Sequence, residues 1–160
     1  KGSRRPVVVP MTLDAPAEPF DISLQVAAKM LINTHSTAVM AKLGKVIGNT
    51  MTNVSPSNLK LIGRATFLVQ SHINDVISGR RWREVHGETA PVTYAEANAV
   101  LFDAIAFLKD RQAEAGQTAE VAFSIIRALE SLRRKSAVSR EETLGVVKRT
   151  GLAAYLRVLR

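Results

Sequence analysis

The chain has 160 residues, of which 46% are hydrophobic, and a formal net charge of +8. This length and composition allow one or two small domains with a substantial core. The sequence contains no cysteine, which excludes disulfides and cysteine-ligated metals and makes a reducing cytoplasm the default compartment. No uncharged apolar run reaches the roughly 20 residues that a membrane-spanning helix needs. The first residues, KGSRR, do not form a signal peptide and lack a methionine, so we interpret the start as a cut end.

Residues 1–20 hold four of the six prolines and are predicted to be irregular. The triplet Val7, Val8 and Val9 is the one candidate strand in this stretch. The prolines on either side limit it to a terminal or edge position in a sheet.

The longest predicted helix covers residues 21–53, which contain no proline and many helix-forming residues. It is apolar on most of its circumference, so we expect it to be buried. At about 100° per residue, several polar or small residues fall in one row roughly 100° wide. The row contains Lys29, Asn33, Ser36, Thr37, Met40 and Gly44.

Shorter helical patterns follow this long segment. Helices are predicted at residues 57–72, 93–112 and 118–134, with an interrupted helix and loop at 75–91 and a small helical pair after Ser139 that Gly151 divides. Thr93 with Glu96, and Ser139 with Glu142, form capping boxes in which a hydroxyl and a carboxylate each take a free amide. Thr118 is the expected cap of the helix at 118–134.

These patterns predict an all-α fold. The long helix is expected to be packed by three to five shorter helices, and residues 7–9 provide the one short N-terminal edge strand. We divide the chain into an irregular lead-in at 1–20, a helical core at 21–112 and a small C-terminal helical unit at 113–160.

The polar row also carries a resemblance to a known family. The pattern KxxxNxxSTxxMxKLGKxxxN begins at Lys29, and NxKLxxRA begins at Asn58. Both resemble the segment after the sugar-isomerase (SIS) domain in N-acetylmuramic acid 6-phosphate etherases and in the related glucokinase regulatory protein. The resemblance implies that residues 1–20 are the end of a missing SIS domain and that the short C-terminal helices are the small unit that closes etherase-type chains.

For function, the resemblance implies a helical portion that packs on a SIS domain, supports a homodimer and lines one wall of a site for an amino-sugar phosphate. The residues implied in ligand binding are Lys29, Asn33, Ser36, Thr37, Lys45 and Asn49. A second interpretation of Ser36 and Thr37 stays open, since their hydroxyls can bond to carbonyls one turn earlier and let helices pack closely. Neither a metal nor another cofactor is expected.

Etherase chemistry itself is not predicted for this chain alone. The related etherases carry a Gly-Ser-Thr-Arg loop before the long helix, whereas residues 18–25 read EPFDISLQ here. The catalytic glutamates of that family lie in the SIS domain, and no residue of this chain corresponds to them. In an intact relative the reaction would be cleavage of a lactyl ether from an amino-sugar phosphate. A sugar-phosphate sensor or regulator without turnover is therefore the first alternative.

A basic helical nucleic-acid binder is the second alternative, and the less favoured one. Residues 127–160 hold nine Lys/Arg against three Glu, a net of +6. The sequence RRWR at 80–83 combines charge with a stacking ring. A solvated basic face is the ordinary explanation for both features. His35, His72 and His86 do not have the spacing of metal ligands.

Overall fold

The computed structural model describes residues 10, 12, 19–111 and 119–160. The chain divides into two compact units after Val39. In the first unit, a 3-10 turn at Pro19–Asp21 leads into α1, Ile22–Lys42, whose last residues belong to the second unit.

The second unit contains a β-hairpin and six further helices among the described residues. They are β1 (Val46–Ile47), β2 (Thr50–Met51), α2 (Leu59–Ile77), α3 (Arg80–His86), α4 (Tyr94–Leu108), α5 (Glu120–Arg134), α6 (Arg140–Thr150) and α7 (Leu152–Leu159). The predicted all-α class with a small strand element is confirmed. The candidate strand at residues 7–9 lies outside the described residues. The two described strands lie at residues 46–51, where a helix was predicted.

The expected burial of the long helix is wrong. No residue of α1 is buried, and its large apolar side chains are exposed, for example Met30 at 64% and Ile32 at 66%. The helix is apolar on most of its circumference, as predicted, but the described part of the chain does not cover it.

The long helix also ends about ten residues earlier than predicted. Gly44 has φ of +69°, its amide donates to the Ala41 carbonyl at 3.0 Å, and the Lys45 amide donates to the Met40 carbonyl at 2.9 Å. These two bonds form a Schellman C-cap, in which glycine at the left-handed position satisfies carbonyls that have no helical partner. The predicted position of Gly44 in the polar row of the long helix is therefore wrong, because the helix ends at Lys42.

A tight hairpin follows the cap. Ile47 pairs with Thr50 in an antiparallel register, so only Gly48 and Asn49 form the loop. Gly48 has φ of +60°, whereas Asn49 is not among the residues with positive φ. Glycine at the first central position is typical of the type II′ turn, which matches the twist of the two strands.

The core of the second unit is formed by one face each of α2, α4 and α5, against which α7 packs. Its fully buried residues include Ala65, Val69, Ile73, Ala97, Leu101, Ile125, Ile126 and Leu129. Most recur at intervals of three and four, as expected for helices that bury a single face. A smaller cluster of Ala104, Leu108, Phe123 and Leu144 joins α4, α5 and α6.

Side-chain caps are present at two of the predicted helix starts. Thr93 and Glu96 form the reciprocal capping box, and Ser139 accepts from the Glu142 amide at the start of α6. The N-cap of α2 is Asn58, whose side chain accepts from the Leu61 amide at 3.0 Å, so this helix begins at Leu59 rather than at the predicted residue 57. The expected cap Thr118 lies outside the described residues.

Candidate functional site

Four of the six candidate ligand-binding residues share one exposed row on α1. Lys29, Asn33, Ser36 and Thr37 all lie within the helix and are exposed. Their side chains therefore form a polar row on a helix that is otherwise largely apolar. Such a row is suited to binding hydroxyl groups and anions.

The two hydroxyls in the row differ in their bonding. Ser36 Oγ donates to the Asn33 carbonyl at 3.0 Å, which is the bond to the preceding turn that one interpretation of the sequence predicted. Its lone pairs remain able to accept from a ligand. Thr37 has no hydrogen-bond partner for its hydroxyl within the described residues.

Lys45 and Asn49 do not lie on the helix. Lys45 is the residue after the C-cap glycine, and Asn49 is the second residue of the hairpin turn. The Lys45 carbonyl accepts both the amide of Thr52 at 2.9 Å and its hydroxyl at 3.1 Å. Leu43, Gly44 and Lys45 form the LGK segment. These two bonds hold its last residue, Lys45, next to Thr52, which directly follows β2.

Lys45 lines a cleft of about 430 Å³ within the second unit. Its other walls come from the end of α1, the start of α5, the end of α6 and the first turn of α7. Lys42 and Arg157 are the other two charged residues at its surface, and none of the described lining residues is acidic. A Cβ built on Gly44 would lie 4.0 Å from Cβ of Ala153, so the LGK turn lies close to the first turn of α7. We call this the cationic cleft.

A larger cleft of about 930 Å³ lies between α2, α4 and α5 and the loops after α3 and α5. Its wall is mostly apolar, with Val92, Val100, Ala128 and Leu132 among its residues. Asn74 fixes one side of it, because the side-chain amide donates to the Val92 carbonyl at 3.0 Å and accepts from the Val92 amide at 2.8 Å.

Two acidic residues at the larger cleft have pKa values below their ordinary range. A hydrogen bond from Arg140, followed by the charge of Arg127, lowers the pKa of Asp103 against the opposing effect of burial. The Thr93 amide and hydroxyl lower the pKa of Glu96. Both carboxylates are therefore ionised at neutral pH and neither is suited to donate a proton.

The structure does not support the RRWR segment as a stacking surface for nucleic acid. Trp82 is 2% exposed, its indole nitrogen donates to Thr89 Oγ1 at 3.0 Å, and its ring lies 4.5 Å from that of His86. The ring belongs to the core, so it is not available to stack on a base.

Much of the basic excess of residues 127–160 is paired with carboxylates. Arg127 and Arg140 both bind Asp103, and Arg133 and Arg134 both bind Glu130 at 2.7 and 3.0 Å. Arg160 binds Asp75 at 2.5 Å. Arg157 has no ion pair within the described residues, which sets it apart from these five arginines.

Neither a metal site nor a membrane span is found in the described residues. No group of three histidine, aspartate or glutamate side chains in that part of the chain is arranged to hold a metal ion. None of its helices is both long and apolar enough to cross a bilayer.

Comparison with known proteins gives partial matches to one kind of enzyme. Over 39 residues the chain is 59% identical to the N-acetylmuramic acid 6-phosphate etherase of Synechococcus sp. (strain CC9605). The matched region is 24% of this chain and 12% of the relative. Over 94 residues it is 37% identical to the etherase of Cutibacterium acnes, and this matched region is 54% of this chain and 31% of the relative. Part of this chain is similar to N-acetylmuramic acid 6-phosphate etherases.

The similarity is limited in extent. The etherase of Bacillus subtilis is 52% identical over 48 residues, which are 30% of this chain and 16% of the relative. The chain thus matches less than a third of the length of each of these relatives. No family model matches the chain, and no solved structure matches it.

Sequence reasoning did not identify the cationic cleft. Lys42 and Arg157 were not among the candidate residues, because they lie far apart in the sequence and belong to no shared pattern. One local signal was present. A glycine directly after a helical turn that contains lysine commonly marks the end of a helix, and Lys42 and Gly44 have this arrangement. Recognising it would have moved Lys45 from the helix to the loop.

Proposed function

We propose that this chain is the helical part of a phosphosugar-binding protein related to the etherases. In this proposal α1 packs into a sugar-isomerase-type domain, and its polar row forms one wall of a site for an amino-sugar phosphate. The similarity to N-acetylmuramic acid 6-phosphate etherases supports the substrate class.

The observation that carries the proposal is the exposure of α1. The helix has 21 residues and none of them is buried. Its exposed apolar side chains include Ile22, Leu24, Val26, Met30, Leu31, Ile32 and Val39. At about 100° per residue these side chains point in all directions around the axis, a pattern typical of helices buried on every side.

The polar row then has a specific role. A helix covered by apolar surface leaves Asn33, Ser36 and Thr37 facing either another helix or a polar site. Lys29 at the start of the row supplies the positive charge that a phosphate requires. Hydroxyl and amide groups on the same face are suited to the sugar hydroxyls.

Substitution of the two hydroxyls tests this proposal. In the native protein, the double variant Ser36→Ala with Thr37→Ala is expected to weaken binding of N-acetylmuramic acid 6-phosphate by about tenfold, as for loss of one or two hydrogen bonds to a charged ligand. Thr34→Ala is the matched control, because Thr34 is also exposed on α1 but lies about 110° around the helix axis from the middle of the row. Unchanged affinity of the double variant would contradict a role for the row in binding.

Homodimer formation is part of the same proposal. The exposed apolar side chains of α1 point in several directions around its axis, so a partner on one side leaves some of them uncovered, which supports a second copy as a further partner. Sedimentation of the native protein tests this, and a monomer at micromolar concentration would contradict it.

A sensor without turnover is the second candidate function. The observation that favours it is the sequence EPFDISLQ at residues 18–25, where the resemblance places the Gly-Ser-Thr-Arg loop of the etherases. Lactate release from N-acetylmuramic acid 6-phosphate separates the two candidates. Binding with lactate release supports an etherase, whereas binding without it supports a sensor.

A further inference from the structure

The cationic cleft combines three positively charged side chains with an absence of negative ones. Lys42, Lys45 and Arg157 line it, and none of its described lining residues is an aspartate or glutamate. None of the three forms an ion pair within the described residues, although five other arginines of the C-terminal region do. Like charges held in one concave surface repel each other, and an anion bound between them offsets this repulsion.

The first turn of α7, which has no side-chain cap, lines the same surface. Helix α7 follows Gly151, which provides no side-chain cap, and the residues of its first turn, Leu152, Ala153 and Ala154, line the cleft. Their amides have no partner within the helix, and the helix dipole adds a partial positive charge at this end. Amides at a helix start are common ligands of phosphate groups.

Two hydroxyl-bearing residues complete the lining. Thr52 and Thr150 both lie at the cleft, and Thr52 is fixed by its two bonds to the Lys45 carbonyl. A volume of about 430 Å³ exceeds that of a phosphate group and is within the usual range for small-ligand sites.

We propose that the cationic cleft binds the phosphate group of a small phosphate monoester. Lys42, Lys45 and Arg157 neutralise the dianion, and the first-turn amides of α7 donate to its oxygens. The site goes beyond the phosphosugar wall on α1, because all its residues belong to residues 42–157 of the second unit and it needs no other domain. A monoester fits better than a nucleic-acid backbone, because a dianion in a concave site matches three cations better than a singly charged diester does.

The test is a titration of the ¹⁵N-labelled chain with glycerol 3-phosphate at constant ionic strength, with glycerol as the uncharged control. We expect saturable shifts of the amide signals of Lys45, Leu152, Ala153 and Ala154. Lys45→Gln and Arg157→Gln are each expected to weaken binding about tenfold, as for loss of a charge-assisted hydrogen bond. Lys60→Gln is the matched control, because Lys60 is exposed on α2 and does not line the cleft.

A further variant separates binding from folding. Ala154→Glu puts a carboxylate at the third residue of α7, a position that favours acidic residues in helices. It is expected to abolish binding of glycerol 3-phosphate while the chain stays folded.

Three results would overturn the proposal. The first is shifts no larger than those produced by sodium chloride, and the second is an equal loss of affinity in Lys60→Gln. The third is binding of a single-stranded oligonucleotide without binding of glycerol 3-phosphate, which would assign the cleft to nucleic acid. The test is independent of the proposed function, because glycerol 3-phosphate lacks the amino sugar and the signals lie outside residues 29–37.

Discussion

The amide of Lys45 donates a hydrogen bond of 2.9 Å to the carbonyl of Met40. This bond ends α1 and turns the chain away from the helix axis, with Gly44 at φ of +69° between the two residues. The consequence is that the polar row remains on α1 while Lys45 enters the cationic cleft. The LGK segment is thus a helix cap that also delivers a cation to a concave surface.

Substitution of the cap glycine is expected to destabilise the second unit. Gly44→Ala places a Cβ at a positive φ, which costs about 1 kcal/mol, and urea denaturation measures the change. Gly145→Ala is the control, and it is expected to raise the free energy of unfolding where Gly44→Ala lowers it. Gly145 lies within α6, where alanine is favoured over glycine by about 0.5–1 kcal/mol, and its new Cβ would meet only the mobile end of Arg149. Equal effects of the two variants would contradict the cap.

The buried pair of Tyr155 and Glu130 joins α7 to α5. The Tyr155 hydroxyl donates to Glu130 Oε1 at 2.8 Å, and burial followed by this bond raises the pKa of Tyr155. Tyr155→Phe leaves a buried carboxylate oxygen without a donor, and we expect the free energy of unfolding to fall by about 1–3 kcal/mol. Thermal or urea denaturation measures this loss.

Tyr94→Phe is the matched control for that experiment, because Tyr94 is 48% exposed. Its effect should stay within about 0.5 kcal/mol. If both variants lose equal stability, the bond to Glu130 is not the cause.

His72 is expected to make stability depend on pH. Burial, followed by the charge of Arg160, lowers the pKa of His72 from its ordinary value of 6.5, against the opposing charge of Asp75. Well above pH 6.5 the ring is neutral in both the folded and the unfolded chain. Below that pH the unfolded chain takes up a proton first, so the free energy of unfolding decreases as the pH falls.

Comparison with His72→Gln isolates this contribution. Between pH 7.5 and 5.5 the variant should lose less stability than the original chain, measured by urea denaturation at each pH. His35→Gln, at an exposed position on α1, is the matched control and should follow the original chain. Parallel curves for His72→Gln and the original chain would exclude His72 as the source.

The exposed apolar side chains of α1 give a further prediction. Met30→Gln with Ile32→Gln should leave the second unit folded but disrupt assembly of the native protein, because these side chains are expected to be covered there. Size-exclusion chromatography measures the assembly. Phe102→Gln, at a side chain 49% exposed on α4, is the control, and equal disruption by it would argue against α1 as the interface.

Local signals in the sequence predicted the helices of the second unit well. The capping box of Thr93 and Glu96 and the break at Gly151 are set by neighbouring residues, so they can be recognised without tertiary information. The end of α1 was missed because residues 43–53 contain no proline, so the helix was continued through Gly44 and Gly48 although glycine is a poor helix former. In the structure, the left-handed glycines Gly44 and Gly48 and the pairing of β1 with β2 form a cap and a hairpin in place of the continued helix.

Burial and the site were harder to predict for a physical reason. Trp82 lies in the core and contacts Thr89 and His86. In the sequence it is flanked by arginines, which favoured the interpretation of an exposed ring. Similarly, the cationic cleft joins residues 42–45 with residues 150–157, which only the packing of α7 brings together. Contacts between distant segments leave no periodic pattern in the sequence.

Hydrogen–deuterium exchange of α1 in the native protein tests the central claim most directly. The amides of residues 29–37 should become more protected when N-acetylmuramic acid 6-phosphate is added, because the polar row then contacts the bound sugar phosphate. N-acetylmuramic acid without the phosphate should give little protection. Unchanged exchange of these amides at saturating N-acetylmuramic acid 6-phosphate would contradict the assignment of α1 to the phosphosugar site.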